Sequence, residues 1–419
     1  MDKTVIVGLD GVPFSMIKDL AERSIMPATA ALISRGRLGR MESSVPEVSS
    51  VAWSSIITGK NPGEHGIFGF TDIAPNSYKI RFPNYRDLGA APFWEASGKD
   101  CIIINVPSTY PVREMRGSHI SGFVSLAMEK SVFPANLLVK LREFDYRLDV
   151  DSQLAHESME RFLEDLNLTL DARVRALRYL RDNHKWQIFM IVFTGTDRLL
   201  HFLWDAYENK EHLYHEAFMS YFRRIDKAVA EAAEMADADD RLIMLSDHGF
   251  ERLNADVYIN TLLREVDLLR FKSGQKPSLE NIDRATKAFA LDPARIYINW
   301  KDRYPCGSVN KEDGEAVLAD MEEMFSKLEL GGRKVVQRTL RKEDIYAGPF
   351  ADTAPDMVLL PGRGFNLKAK IDATMLFGKG IFNGKHNFDD AFIFVRGQSL
   401  AQTLADKPNV CDVAGLVLN

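Results

Sequence analysis

Five short apolar runs punctuate the chain: Val5–Leu9, Cys101–Val106, Ile188–Phe193, Leu242–Leu245 and Ala391–Val395. Each is too short for an ordinary helix and too continuously apolar for a strand with one wet face. Each therefore reads as a strand buried on both sides. Longer stretches with helical spacing separate them. Residues 13–35 read as helix interrupted near Pro27, Val51 to Thr58 as a short apolar helix closed by Gly59, and residues 125–185 as mostly helical. Within the last, Ala172 to Asp182 is amphipathic, with basic residues on its polar face. Buried strands alternating with helices predict an α/β fold with a mostly parallel central sheet. Residues 255–385 are patterned more weakly. Short strands are expected at Arg295–Asn299 and Met357–Leu360 and a charged helix from Lys311 to Leu328, and the whole reads as a smaller insertion or cap.

Three of the buried strands stop at a carboxylate. Val5–Leu9 runs into Asp10-Gly11, Ile188–Phe193 into Thr194-Gly-Thr-Asp197, and Leu242–Leu245 into Ser246-Asp247-His248-Gly249. In open α/β sheets ligands bind at the carboxyl ends of strands. An ordinary reading exists for each: Asp10 as a helix N-cap beside a glycine turn, Asp247 as turn chemistry. Histidines change the balance. His201 follows Asp197 by four residues, on the same face if a helix begins there, and His248 adjoins Asp247. His386 lies in the loop Gly384-Lys-His-Asn387, just before the last strand. The chain has nine histidines in all, so three beside these strand ends is a concentration. Six mixed Asp/His ligands divide into two sites of three. Such donors suit Zn²⁺ and also accept Mn²⁺ or Fe²⁺. Ser49 and Ser50 stand at the start of the Val51–Thr58 helix, where free N–H groups and the helix dipole favour phosphate and where an activated serine is a nucleophile; an N-cap serine is the plainer reading. Lys60 and His65 read as solvated loop residues.

Composition narrows the class. The 419 residues are 46% hydrophobic and 27% charged, as in an ordinary globular protein with a large core. A net charge of −6 argues against a nucleic-acid polymer as partner. The cysteines, Cys101, Cys306 and Cys411, are far apart and odd in number, which suits a reducing compartment. The first apolar run is too short for a signal-peptide core, and no run is long enough to span a membrane, so a cytoplasmic location is expected.

Several ordered pieces carry a family resemblance: Val7-Gly-Leu-Asp-Gly11; Val45-Pro-Glu-Val-Ser49 through Ile57-Thr-Gly59 and His65-Gly-Ile67; Phe193-Thr-Gly-Thr-Asp-Arg-Leu-Leu-His201; Ser246-Asp-His-Gly249; and Gly384-Lys-His386. Ile345-Tyr-Ala-Gly-Pro349 and Ala354-Pro-Asp356 extend it. The chain resembles the alkaline phosphatase superfamily, in its type I phosphodiesterase/nucleotide pyrophosphatase-like group and the branch of predicted phosphohydrolases or phosphomutases. The resemblance spans nearly the whole chain. It implies a three-layer α/β/α sandwich forming one catalytic domain over residues 1–419, with 255–385 as the inserted cap or substrate subdomain. It implies two divalent ions, zinc with manganese as the alternative. One would be held by Asp197, His201 and His386, the other by Asp10, Asp247 and His248. It selects Ser49 over Ser50 as the nucleophile that forms a phosphoserine.

One departure stands out. The nucleotide pyrophosphatase pattern has an Asn, which helps bind the phosphoryl oxygen, where this chain has Phe70. Thr71, Lys60, Arg86 and Arg198 are the candidate replacements. The expectation is a metal-dependent phosphoric ester hydrolase cleaving phosphodiesters, nucleotide-type bonds among them, in a small phosphorylated substrate. A phosphomonoesterase or phosphomutase on the same site is the alternative. No Cys/Ser-x-Pro-x-Arg sulfatase signature is present, and a non-enzymatic binding protein would be expected to have lost ligands or the nucleophile.

Overall fold

The computed structural model describes residues 3–397 and 404–418. It divides into two compact units. The first comprises Met1–Lys60, Asn84–Phe250 and Ile381–Asn419; the second comprises Asn61–Pro83 and Glu251–Gly380.

The first unit is built on an eight-stranded sheet. In chain order its strands are β1 (Thr4–Leu9), β2 (Arg37–Met41), β3 (Cys101–Val106), β4 (Gly117–Ser121), β5 (Val132–Phe133), β6 (Ile188–Phe193), β7 (Arg241–Leu245) and β8 (Ala391–Arg396). Their order across the sheet is β2-β8-β7-β1-β6-β3-β4-β5. The five strands from β7 to β4 are mutually parallel, while β8 and β5 run against their neighbours. This is the mostly parallel α/β architecture expected from the alternation of apolar runs. The principal helices of this unit are α1 (Phe14–Glu22), α2 (Ser49–Thr58), α3 (Met159–Asn183), α4 (Gly195–Glu208) and α5 (His215–Ala233). The expected helix across 13–35 is broken into Phe14–Glu22 and Pro27–Ile33, with Pro27 opening its second piece. The 125–185 stretch is less helical than expected before α3, with short helices at Leu137–Glu143 and Leu154–Glu157 and the edge strand β5.

Both faces of the sheet are covered. Val5, Val7 and Leu9 of β1 join Met16, Ile17 and Leu20 of α1, Leu166, Leu170 and Leu177 of α3 and Phe218, Phe222 and Ile225 of α5 in one buried core. The other face of β1 receives α2, whose residues Ser49 to Ile57 are all buried. The approach is close because Gly8 has no side chain. A Cβ there would stand 2.5 Å from Cη2 of Trp53 and 3.0 Å from Cγ2 of Val192. Besides the short β5, two unpredicted strands belong to this sheet. β2 lies at its edge, and β4 is buried despite the sequence Gly117-Ser-His-Ile-Ser121.

The second unit has its own apolar core. A four-stranded antiparallel sheet joins Ala288–Leu291, Arg295–Ile298, Met357–Pro361 and Val336–Arg341 in that order, and the charged helix runs over Lys311–Ser326. His65, expected in solvent, is buried in this unit. It accepts the Ile67 N–H at Nδ1, and burial pushes its pKa down to about 3. Among the described residues no helix is long and apolar enough to cross a membrane.

Two stability predictions follow from these contacts. Gly8→Ala forces a methyl into the Trp53 ring and should cost about 1–3 kcal/mol, read as a lowered melting temperature; an unchanged melting temperature would show that α2 yields easily. His119 of β4 is fully buried between Tyr85 and Trp94, and its ring nitrogens have no hydrogen-bond partner among the described residues. Burial pushes its pKa down to about 3. The unfolded chain therefore binds a proton that the native state refuses, so this contribution to stability is present at neutral pH and is lost as pH falls below the unfolded value near 6.5. His119→Phe should retain more of its melting temperature between pH 7.5 and about 5.5 than the parent does. Equal losses in both would exclude His119 as an acid-sensitive point.

Candidate active site

The site is assembled at the carboxyl edge of the sheet, wholly within the first unit. Strands β7, β1 and β6 are neighbours, with Leu9 level with Phe193 and Gly8 level with Leu245. Adjacent strands lie about 4.8 Å apart. Residues just beyond these three strand ends are therefore forced together, and they are Asp10, the Thr194–Asp197 turn, and Asp247-His248. The antiparallel β8 starts at this same edge, since Ile393 pairs with Leu245, so the strand Gly384–Asn387 before it brings in His386. β2 ends here too, with Met41 opposite Ala391, and the segment after it leads to Ser49.

Two groups of donors result. Ligand atoms of Asp197, His201 and His386 lie within 4.8 Å of one another, as do those of Asp10, Asp197 and His248. Asp197 belongs to both. α4 begins at Gly195 and puts Asp197 and His201 one turn apart on one face, as their spacing predicted. Asp247 is fully buried. Its Oδ1 accepts the Gly11 N–H at 3.1 Å, and its Oδ2 is 3.3 Å from Nε2 of His248 with no hydrogen-bond partner among the described residues. The structure thus brings all six predicted ligand side chains to one edge.

The three imidazoles share an orientation. Nδ1 of His201 faces the Gly384 carbonyl at 3.2 Å, Nδ1 of His248 the Gly249 carbonyl at 3.1 Å, and Nδ1 of His386 the Glu47 carbonyl at 3.1 Å. A carbonyl only accepts, so each Nδ1 donates its proton, and a ring carrying that proton alone turns the Nε2 lone pair inward. Nε2 of His386 is then 3.0 Å from Nε2 of His201 and 3.1 Å from Oδ1 of Asp197. With that proton alone on each ring, three acceptors stand at this separation, and they repel one another unless a cation lies between. Burial pushes His201 down to about 4 and His248 well below its ordinary value, so both are neutral at pH 7, the form that binds a metal. The orphaned Asp247 oxygen makes the same point. This donor set fits divalent ions, and outer hydrogen bonds of this kind are what orients metal-binding histidines.

The carboxylates differ in their surroundings. Burial, then the charges of Asp247 and Asp197, raise Asp10 well above the carboxylate range; Trp53 Nε1 donates to its Oδ2 at 3.0 Å. Asp247 is pushed up to about 7, chiefly by burial. Asp197 is also buried, but His201, His386 and Arg198, positively charged at the acid pH where this carboxyl titrates, outweigh that and hold it well below the usual range. Ser49 lies against this cluster, its Oγ 3.1 Å from Nε2 of His248 and 3.5 Å from Oδ1 of Asp10. Ser50 does not: its hydroxyl is buried with no partner among the described residues.

Of the candidate replacements at Phe70, Arg198 touches this cluster. Its Nη1 donates to Oδ2 of Asp197 at 2.7 Å. Lys60 and Arg86 are exposed, and Thr71 of the second unit accepts from Arg295. Beside the cluster is a cleft of about 380 Å³ whose lining includes Arg198, His201, Phe123, Phe202 and Phe382. Trp53 and Asp149 were not foreseen, because what they touch is distant in sequence. Trp53 could have been suspected as the residue one turn after Ser49; Asp149 gave no signal.

The comparisons agree with this fold. The family model for type I phosphodiesterase/nucleotide pyrophosphatase matches residues 4–389. Phosphonoacetate hydrolase from Sinorhizobium meliloti 1021, in complex with phosphonoformate, superposes with a TM-score of 0.65 at 14% identity, over 100% of this chain and 95% of that one. Murine ectonucleotide pyrophosphatase/phosphodiesterase 5 gives 0.55 at 13% identity, over 99% and 94%, and the human protein 0.57 at 12%, over 99% and 93%. No curated protein matches by sequence. These likenesses establish the alkaline phosphatase-like fold, and the chain belongs to the type I phosphodiesterase/nucleotide pyrophosphatase family, as a hydrolase whose chemistry is phosphoryl transfer.

Proposed function

We propose that this protein is a two-metal phosphodiesterase in which Ser49 is transiently phosphorylated. The observation that carries the reading is the position of Ser49 Oγ, within 3.5 Å of both His248 Nε2 and Asp10 Oδ1, at the start of a ten-residue helix. Asp197, His201 and His386 would hold one ion, and Asp10, Asp247 and His248 the other, zinc by the donor chemistry with manganese as the alternative. When bound, such ions would favour the ionised form of the serine hydroxyl and stabilise negative charge on the phosphoryl group.

The residues of the chain account for the rest. Ser49 Oγ attacks phosphorus, the Oγ–P bond forms, and the ester P–O bond opposite breaks to release an alcohol or phosphate ester. The N–H groups of Ser49 and Ser50 open α2 with no acceptor among the described residues, and they point the positive end of the helix at the phosphoryl oxygens. Trp53 holds Asp10 from behind through its indole N–H. Water then cleaves the Oγ–P bond and restores the serine.

Charge favours a diester over a monoester. Three carboxylates and two divalent ions leave one net positive charge before Ser49 ionises, which matches a phosphodiester monoanion better than a dianion. Arg198 adds little, because its charge is already shared between Asp149 and Asp197. The cleft lined by Phe123, Phe202 and Phe382 supports an organic group on the substrate in addition to the reacting phosphate. Small phosphorylated or phosphonylated molecules are the substrate class. Phosphonoacetate, a ligand of the Sinorhizobium enzyme, is a natural comparison compound.

The test is hydrolysis of bis-p-nitrophenyl phosphate, p-nitrophenyl phosphate and phosphonoacetate, with Zn²⁺ or Mn²⁺. The expected order puts the diester first, and Ser49→Ala should lower its turnover by at least about a thousandfold. Preference for the monoester, also lost in Ser49→Ala, would move the assignment to the monoesterase or phosphomutase alternative. Full activity in Ser49→Ala would remove Ser49 as the nucleophile. Stripping divalent ions with a chelator should abolish hydrolysis and lower the melting temperature, and Zn²⁺ should restore both. A melting temperature and activity indifferent to chelation would refute the metal-centre reading.

A further inference from the structure

Asp197 contributes to both donor groups, so the aim of its carboxylate matters more than that of the other ligands. Its two oxygens are divided. Oδ1 faces the imidazoles, 3.1 Å from Nε2 of His386 and 3.4 Å from Nε2 of His201. Oδ2 is held by Nη1 of Arg198 at 2.7 Å. A carboxylate can turn about its Cβ–Cγ bond; the guanidinium decides which oxygen faces inward.

Arg198 is itself fixed. Its Nε and Nη2 both donate to Oδ2 of Asp149, at 3.1 and 2.8 Å, and Oδ1 of Asp149 accepts the Thr194 hydroxyl at 3.1 Å. Asp149 lies in an irregular stretch between the helices that end at Glu143 and begin at Leu154. Such a stretch leaves carbonyls to be satisfied. Arg173 of α3, 2% exposed, does so: Nη2 donates to the carbonyls of Arg147 and Leu148 at 3.3 and 3.2 Å and to Oδ1 of Asn105 at 2.8 Å, while Nη1 reaches the Thr194 hydroxyl at 3.2 Å. One buried arginine thus ties the irregular segment carrying Asp149 to the turn from which α4 starts.

We infer that Asp149 and Arg198, anchored through Arg173, are positioning residues that set the Asp197 carboxylate for the cations. This rests on the metal-centre reading above. A largely buried Asp–Arg–Asp row is poor at stabilising a fold compared with apolar residues of the same volume. Its direct contact with Asp197 gives it a different use. Outer partners of metal ligands change affinity or activity by about 10–100-fold when removed.

The experiment titrates metal-depleted protein with Co²⁺, following the visible absorption of the bound ion and measuring affinity by competition with a chromogenic chelator. Asp149→Asn and Arg198→Gln should bind one Co²⁺ about 10–100-fold more weakly, with a shifted absorption band. Arg198→Lys, which keeps the charge and one donor, should recover part of the loss. At saturating metal, KM for bis-p-nitrophenyl phosphate should stay within about twofold of the parent. Asp149→Asn is nearly isosteric and serves as the test if Arg198→Gln fails to fold. Unaltered Co²⁺ affinity and spectrum, with KM raised tenfold or more, would overturn the inference and put the guanidinium on the substrate. Parent protein that binds no Co²⁺ at all would sink the metal-centre reading, and this inference with it; parent binding matched by both variants would sink this inference alone.

Discussion

Three carboxylates, buried together at the ends of three adjacent strands, are the constraint to which the rest of this edge responds. Asp10, Asp197 and Asp247 are each almost wholly out of solvent. Carboxylates so placed either gain compensating charge or stay protonated. Both answers are visible here. Asp10 and Asp247 are pushed upward, chiefly by burial, whereas Asp197, served by Arg198 and two histidines, stays ionised. A protein needing only stability would not retain such an arrangement. The arrangement makes sense where cations complete it.

The fold makes this crowding unavoidable. Parallel neighbours deliver their following residues to one edge, and an antiparallel strand placed beside them, β8, delivers its preceding residues to that edge as well. His386 and Asp247 can therefore meet although they stand 139 positions apart in the chain. Ser49 arrives by a third route, at the start of a helix lodged against β1 because Gly8 leaves room for Trp53. The same indole that fills that space donates to Asp10, so packing beneath the sheet's edge and electrostatics at it are joined in one side chain.

This explains what was legible in the sequence. The central strands announced themselves because both faces are buried and nearly every residue is apolar, and the ligands because they follow those strands directly or at a helical spacing. Arg37-Leu-Gly-Arg-Met41 gave no such signal, being an edge strand with partly exposed positions. Gly117-Ser-His-Ile-Ser121 is buried yet polar, so no periodicity marked it. His65 read as a solvated loop residue because Gly and Pro surround it, but tertiary packing buries it. Asp149 gave no signal, and Arg173, read with the other arginines of Ala172–Asp182 as solvated surface, is buried instead; the importance of both lies in the partners they reach across the fold, and no local pattern encodes those.

The histidines show how firmly the backbone organises the site. Each donates from Nδ1 to a main-chain carbonyl, and those carbonyls belong to three different segments, at Glu47, Gly249 and Gly384. Ring orientation is thus tied to backbone, not to other mobile side chains, and each ring presents Nε2 without a conformational search. The ordering entropy of these donors is met during folding. A cation entering such a site gains nearly the full interaction with its ligands, and a phosphoryl group meets dipoles already aimed at it. Asp247 fits the same logic from the opposite side: one oxygen is fixed by the Gly11 N–H, leaving the other buried with no hydrogen-bond partner among the described residues.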